Sequence, residues 1–335
     1  MTNIENRPTN FKLLSNLTEQ INQTISVATD GEIVTITGTL HVSGARLIYN
    51  PFFSGYEILQ LEPEFYPDHN LCFLTKQKYL LLASGRLLLL SVPKESLCLT
   101  GIIYSRAFGM RLSLTRGWLP LHNSFRYPSV YITERLVVLS GVLTDDHTVN
   151  DAGIGPNANF NRQLFSVLPL GYRPMHRQSF LVSAGKQGKG RVDVFPSGNC
   201  YIWTNNKYAS LDGVRYLSQP QLPPIRQLSD YLQVPLSLNQ QWRNYSSEYQ
   251  PLTLTVYFPW IIVNGQVKLV KSDPNNQVIA TFPVKYAPSQ DLIFYVDNPR
   301  SSTELSHVKI STDGKITASK NAVIVPFPCL FWRGN

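Results

Sequence analysis

The chain has 335 residues, of which 43% are hydrophobic, 16% charged and 11% aromatic, with a formal charge of +8. That length suits two or three domains, and the apolar content excludes a chain that is disordered throughout. The positive charge is spread along the sequence rather than gathered into a stripe, which predicts no nucleic-acid partner; general solubility explains it best, with an anionic polymer as the other candidate.

The opening residues, M-T-N-I-E-N-R-P, lack a basic stretch followed by an apolar core, so no secretory signal is read there. The longest apolar run, residues 79–90, is broken by Ser84, Gly85 and Arg86 and is too short to span a bilayer. Synthesis in a cytoplasm without membrane insertion is expected. From residue 10 to 27, Phe11, Leu14, Leu17, Ile21 and Ile25 recur at spacings of three and four, which predicts a short helix. So short a helix needs something to pack on, either its own first domain or a docking or trimerising partner. Leu14, Leu17, Ile21 and Ile25 are its candidate contact residues.

After Asp30-Gly31 the pattern turns to strands, and one plan is written three times. An alternating strand opens each copy: 33–40, 136–143 and, without its glycine, 252–258. A corner built on Pro, Tyr and Pro follows, because proline cannot donate to a sheet ladder. Pro169, Tyr172, Pro174 and Phe180 match Pro283, Tyr286, Pro288 and Phe294 without a gap; Pro63, Tyr66, Pro67 and Phe73 match with one residue missing. A hairpin pivots next on Gly85, Gly198 or Gly314. Closing strands at 98–104, 210–216 and 323–327 end the copies. The predicted fold is therefore all-β: a helical docking or trimerisation segment at 1–30, then three tandem antiparallel β-sandwich-like domains at 31–117, 118–240 and 241–335. Trp118 and Trp242, in the proline-rich connections, are expected to pack under the following unit and make a stiff rod.

Chemistry is sparse. Cys72, Cys98, Cys200 and Cys329 show no CxxC pair and read as small buried hydrophobes. Asp145, Asp146, His147 and Asp151 form the densest polar cluster, which reads as a solvated loop rather than a metal site. The glycine-rich 185–190 loop has no helix after it to hold an anion. Asp193 and Asp212 do not read as a glycosidase pair, because Asp193 alternates with Val192 and Val194 and should point out of its sheet. No metal, cofactor or catalytic residue is predicted. Tyr201, Trp203, Asn205, Asn206 and Tyr208 suit contact with a sugar ring, while Tyr201 and Trp203 equally suit a core or subunit interface. Tyr66, Tyr172 and Tyr286 are expected as structural corner residues with their hydroxyls bonded to backbone, and Arg173 as reaching a nearby carbonyl or carboxylate.

The second copy carries the order Trp118, Leu139-Ser140-Gly141, L-P-L-G-Y-R-P at 168–174, Gly198 and Leu211-Asp212-Gly213. It resembles a repeated β-domain of tailed-bacteriophage tail fibres and related virion appendages. The first copy departs from it at Glu64 and Asp68, and the third lacks the L-D-G close. The resemblance implies a non-enzymatic virion protein assembled in the host cytoplasm: a homotrimeric tail fibre that docks to other tail proteins through its N-terminal segment and touches host-surface polysaccharide. An architectural baseplate, collar or capsid-decoration component is the alternative it also implies.

Overall fold

The structure is a computed structural model, and it describes residues 11–14, 25–42, 47–93, 95–115, 117–121, 124–145, 162–185, 188–204, 206–219, 231–257, 259–270, 277–297, 305–320 and 322–332. Among these residues the chain is all-β, with three short 3-10 turns and no α-helix. The predicted helix is not formed where it can be seen. Phe11–Leu13 is a strand paired with Gly55–Leu61, placing Phe11 against Leu61, and the Leu14 N–H continues the ladder to the Ile58 carbonyl. Leu17 and Ile21 lie outside the described residues, while Ile25 and Phe11 rest on the first core. An open sheet edge offers this stretch ladder bonds that an isolated two-heptad helix lacks.

Three large apolar cores follow one another along the chain; the second and third take side chains from two sheets, and the first also takes Leu40 and Leu97 from a separate two-stranded sheet. The first joins the sheet of Gly55–Leu61, Arg86–Leu89, Lys78–Leu81 and Leu71–Leu74 to that of Ile102–Ser105, Ile33–Thr37 and Ser26–Thr29. The second joins a seven-stranded sheet running from Trp118–Pro120 to Arg162–Val167 to one holding Ser129–Thr133, Leu136–Ser140 and Val214–Leu217. The third joins Thr253–Tyr257, Trp260–Leu269 and Ile324–Trp332 to a sheet of Val278–Thr281, Lys315–Ala318, Leu305–Ile310 and Leu292–Asp297. We call these the first, second and third segments. Met110–Arg111 already pairs within the second and Tyr231–Pro235 within the third, so both connections carry strands. Trp118 and Trp242 are buried in the second and third cores, each under the segment that follows it.

Register aligns the three segments residue by residue. Ile36 pairs Ile102, Leu139 pairs Val214 and Val263 pairs Cys329. Gly38, Gly141 and Gly265 then occupy one position, so the third copy does have its glycine. The stretch 252–258, expected in that place from the sequence, instead holds the strand Thr253–Tyr257, which matches Ser129–Thr133 and Ser26–Thr29. Each hairpin glycine has positive φ and its carbonyl takes the same bond, from Leu61, Leu168 or Phe282 N–H at 3.0, 2.9 and 3.0 Å. A Cβ on Gly198 would lie 2.5 Å from the Leu168 carbonyl oxygen, so the turn requires glycine for space as well as for φ.

The corners also align, but not as the sequence suggested. The 3-10 turns Pro63–Phe65, Leu170–Tyr172 and Val284–Tyr286 put Phe65, not Tyr66, at the place of Tyr172 and Tyr286. Pro67, Pro174 and Pro288 then match without a gap. The hydroxyl logic is reversed: Tyr216 in the closing strand donates to the Tyr172 carbonyl at 2.7 Å, and Tyr104 donates to the Phe65 carbonyl. The third closing strand has Phe331 at this position, opposite Ile261 as Tyr216 is opposite Val137. Arg173 does reach a carbonyl, that of Leu168, at 2.8 Å. Tyr66 accepts from Gln60 Nε2 at 2.9 Å.

The segments are not strung end to end. A fourth cluster gathers Ile33 and Ile103 from the first, Leu136 and Val138 from the second, and Tyr257, Trp260, Ile262 and Leu330 from the third. Ile33, Leu136 and Trp260 are register equivalents, so three copies present the same sheet face to one centre. Every residue of Ile33–Thr37 and Leu136–Ser140 is buried because one face fills its own core and the other fills this shared one. The expected rod is thereby replaced by a closed triangle.

Candidate functional site

Polar contacts, one exposed and two part-buried, link the three segments beside the central cluster. Tyr131 of the second segment donates to Glu32 of the first, Tyr257 of the third to Glu134 of the second at 2.6 Å, and the Trp260 indole to Asp30 at 2.8 Å. Burial, reinforced by the neighbouring glutamates, raises the Tyr131 and Tyr257 phenols. Phe73, Phe180 and Phe294, again equivalents, line a cavity of about 30 Å³ between the segments.

Two buried aspartates organise two junctions. At the first, Asp212 accepts from the Cys72 N–H at 2.7 Å, the Gly141 N–H at 2.9 Å and the Ser210 hydroxyl at 2.9 Å. It is 4% exposed, and burial pushes its pKa up to about 6 against the pull of those donors and of Arg126. The equivalent Thr100 hydroxyl receives the Gly38 N–H at 3.0 Å in the first segment. Nearby, the Lys78 ammonium donates to the Gly185 carbonyl, and the Cys72 thiol to the Ser183 hydroxyl at 3.4 Å.

At the second junction Asp193 does leave its own core, as alternation predicted, but it is fully buried beneath Arg177 and Arg191, against which Tyr249 of the following connection packs. It accepts from Ser179 at 2.6 Å, Arg177 at 2.7 Å, Arg191 at 2.8 Å and the Trp203 indole at 3.0 Å. Burial alone would raise this carboxyl; the Arg191 guanidinium outweighs it, with Ser179 and Arg177 adding to the effect, and holds it below the ordinary range. Both aspartates are committed to structural bonds beneath separate junctions, so they do not face one sugar ring.

A row of aromatic and cationic side chains runs over Asp193. Tyr245 meets Tyr249 edge to face at 5.3 Å, and Arg177 lies between Tyr249 at 4.9 Å and Phe195 at 4.6 Å. Phe195 meets Tyr201 edge to face at 5.5 Å, and Lys268 sits over Tyr245 at 5.3 Å. The structure thus divides the predicted sugar-contact set. Tyr201 and Trp203 share this half-buried face, although the Trp203 N–H is spent on Asp193 and its ring lies 5.6 Å from Arg191. Tyr208 lies elsewhere, 5.4 Å from Lys78, and Asn206 packs against Gly185 and Gly188. Asn205 and the 146–161 loop with Asp146, His147 and Asp151 lie outside the described residues. Sequence reasoning missed Phe195 as the partner of Tyr201, and Arg177 and Tyr245 as further members of the same row.

No protein-family model, no curated protein and no solved structure matches this chain.

Proposed function

We propose that the chain is a virion appendage protein of a tailed bacteriophage, built of three β-sandwich-like units, that adheres to host-surface polysaccharide without catalysis. The observation that carries this reading is the threefold repetition itself. Three segments with one corner, one glycine hairpin and one closing strand turn equivalent faces to a common cluster. Such a body holds and touches; it suits multivalent contact better than a single deep site. The homotrimer implied by the resemblance is, in this reading, supplied by three segments of one chain. Docking to other tail proteins remains assigned to the N-terminal segment.

The ledge formed by Tyr201, Phe195 and Tyr245 is the surface we assign to sugar contact, since all three rings are only partly buried and present apolar faces. Immobilised lipopolysaccharide and capsular polysaccharide from candidate host cells test it. The protein should bind one of them, and Tyr201→Ala and Tyr245→Ala should each weaken binding several-fold while thermal unfolding stays cooperative. Binding that is indifferent to both substitutions removes the ledge from the account. Absence of binding to any host polymer, with co-purification in virions, favours the architectural role.

A further inference from the structure

The second and third segments leave a cavity of about 20 Å³ between them, with the polar side chains of Ser179 and Arg191 on one wall and of Gln266 and Asp297 on the other. Gln266 is 7% exposed, and its side-chain carbonyl oxygen is sealed from solvent with no hydrogen-bond donor among the described residues. A buried acceptor left in this state is destabilising until something donates to it. Its strand partner, Pro326, lines the same cavity and has no N–H to offer. Packing does not demand an amide here. Thr39, Val142 and Gln266 each follow the glycine that the three segments share, and Val142 is buried in that place.

The cavity is built into the support of the aromatic ledge. The Tyr245 N–H donates to the Gln266 main-chain carbonyl at 2.8 Å, and the Gln266 N–H donates to the Gln250 carbonyl at 3.1 Å. Arg191 donates to the Tyr249 hydroxyl at 3.4 Å. Gln266 thus holds both ends of the aromatic connection by its main chain while its amide lines the cavity. The charges there are already matched, Arg191 with Asp193 at 2.8 Å and Lys189 with Asp297 at 2.9 Å. An entering carboxylate would meet the Asp297 charge and the Gln266 oxygen, whereas a hydroxyl can donate to that oxygen. The volume admits one water-sized group. Of the hydroxyls of a pyranose, the primary one stands a full carbon clear of the ring, so it reaches into a recess while the ring stays on the aromatic surface. We propose that the cavity receives the hydroxymethyl group of a neutral hexopyranose, with Gln266 as the acceptor that sets specificity. The assignment rests on the sugar-binding reading of the ledge and names the class of sugar that the ledge takes.

Saturation-transfer NMR on the full-length protein tests this with matched methyl glycosides: glucoside against xyloside and galactoside against arabinoside, each second ring lacking only the hydroxymethyl group, and the methyl glycoside of glucuronic acid, which has a carboxylate in its place. At least one hexoside should bind, with its matched pentoside and the glucuronic acid glycoside about tenfold weaker, the scale of one hydrogen bond to a buried acceptor. Gln266→Leu should reduce the hexoside to the affinity of its pentoside and should not lower the unfolding temperature. The proposal is overturned if neither hexoside binds, if hexoside and pentoside bind alike, or if the acidic glycoside binds best. It is also overturned if Gln266→Leu keeps full affinity, or if that variant unfolds at a lower temperature without sugar, since the amide would then be satisfied by a fixed water. Should host polymers still bind through Tyr201 and Tyr245 while matched sugars do not differ, only the cavity assignment falls. Should neither polymers nor sugars bind, the ledge reading falls with it.

Discussion

Asp193 and Asp212 occupy comparable places, each buried under a junction and each accepting several hydrogen bonds, yet their carboxyls move in opposite directions. Asp212 is surrounded by two backbone N–H groups and a hydroxyl, neutral donors that do not offset the loss of water around a full charge. Asp193 has two guanidiniums within hydrogen-bonding distance, and the charge is compensated. Burial depth therefore says little about the ionisation of an interface group; the charge of its donors decides it.

The largest effect should follow from breaking the compensated site. Asp193→Ala deprives the part-buried Arg177 and Arg191 of their shared carboxylate, with Glu248 3.5 Å from Arg177 as a remaining partner, and should cost about 3 kcal/mol in chemical denaturation. A loss below about 1 kcal/mol would show that the guanidiniums find other partners. The uncompensated site should reveal itself through pH. Asp212 has a folded pKa near 6, above the unfolded value of about 4, so its contribution is complete below pH 4 and is lost as pH rises through 6. Relative to Asp212→Asn, the wild type should lose stability on the order of 3 kcal/mol across that window. Asp193 has the opposite sign: its contribution is present above the usual carboxylate range and disappears as pH falls through its depressed value. Titrating denaturation midpoints of wild type, Asp193→Asn and Asp212→Asn separates the two slopes.

A smaller effect is expected at the corners. Tyr216→Phe removes one buried hydroxyl bond to the Tyr172 carbonyl and should cost about 1 kcal/mol, since the third segment tolerates Phe331 at the same position. A cost of several kcal/mol would mean that the corner depends on this bond. Smallest of all, Asp313→Asn removes the solvent-exposed ion pair with Lys315 and should leave the unfolding midpoint unmoved.

Local signals were legible in the sequence where local chemistry dictates structure. Gly85, Gly198 and Gly314 stand at hairpin turns that need positive φ, and Pro67, Pro174 and Pro288 each follow the residue that ends a 3-10 turn, four residues ahead of the next strand. The first corner misled because Pro63 lies one place later than Pro169 and Pro283 within the turn, and Phe65 takes the ring position of a tyrosine. Phe11 and Leu14 misled because a spacing of three fits a helix stripe as well as it fits a short strand followed by a turn. The Asp193 site was invisible because Tyr249, which packs against its arginines, comes from the following connection, and the central cluster was invisible because Ile33, Leu136 and Trp260 are brought together across more than two hundred residues. An apolar run such as Trp260-Ile261-Ile262-Val263 announces burial on both faces, but not what lies on the second face.

Small-angle X-ray scattering from dilute full-length protein tests the central claim most directly. Three segments closed around one apolar cluster within a single chain predict the forward scattering of one chain and a radius of gyration of about 20 Å, the value for a compact body of this length. A three-chain mass, or the much larger radius of three units laid end to end, would contradict it.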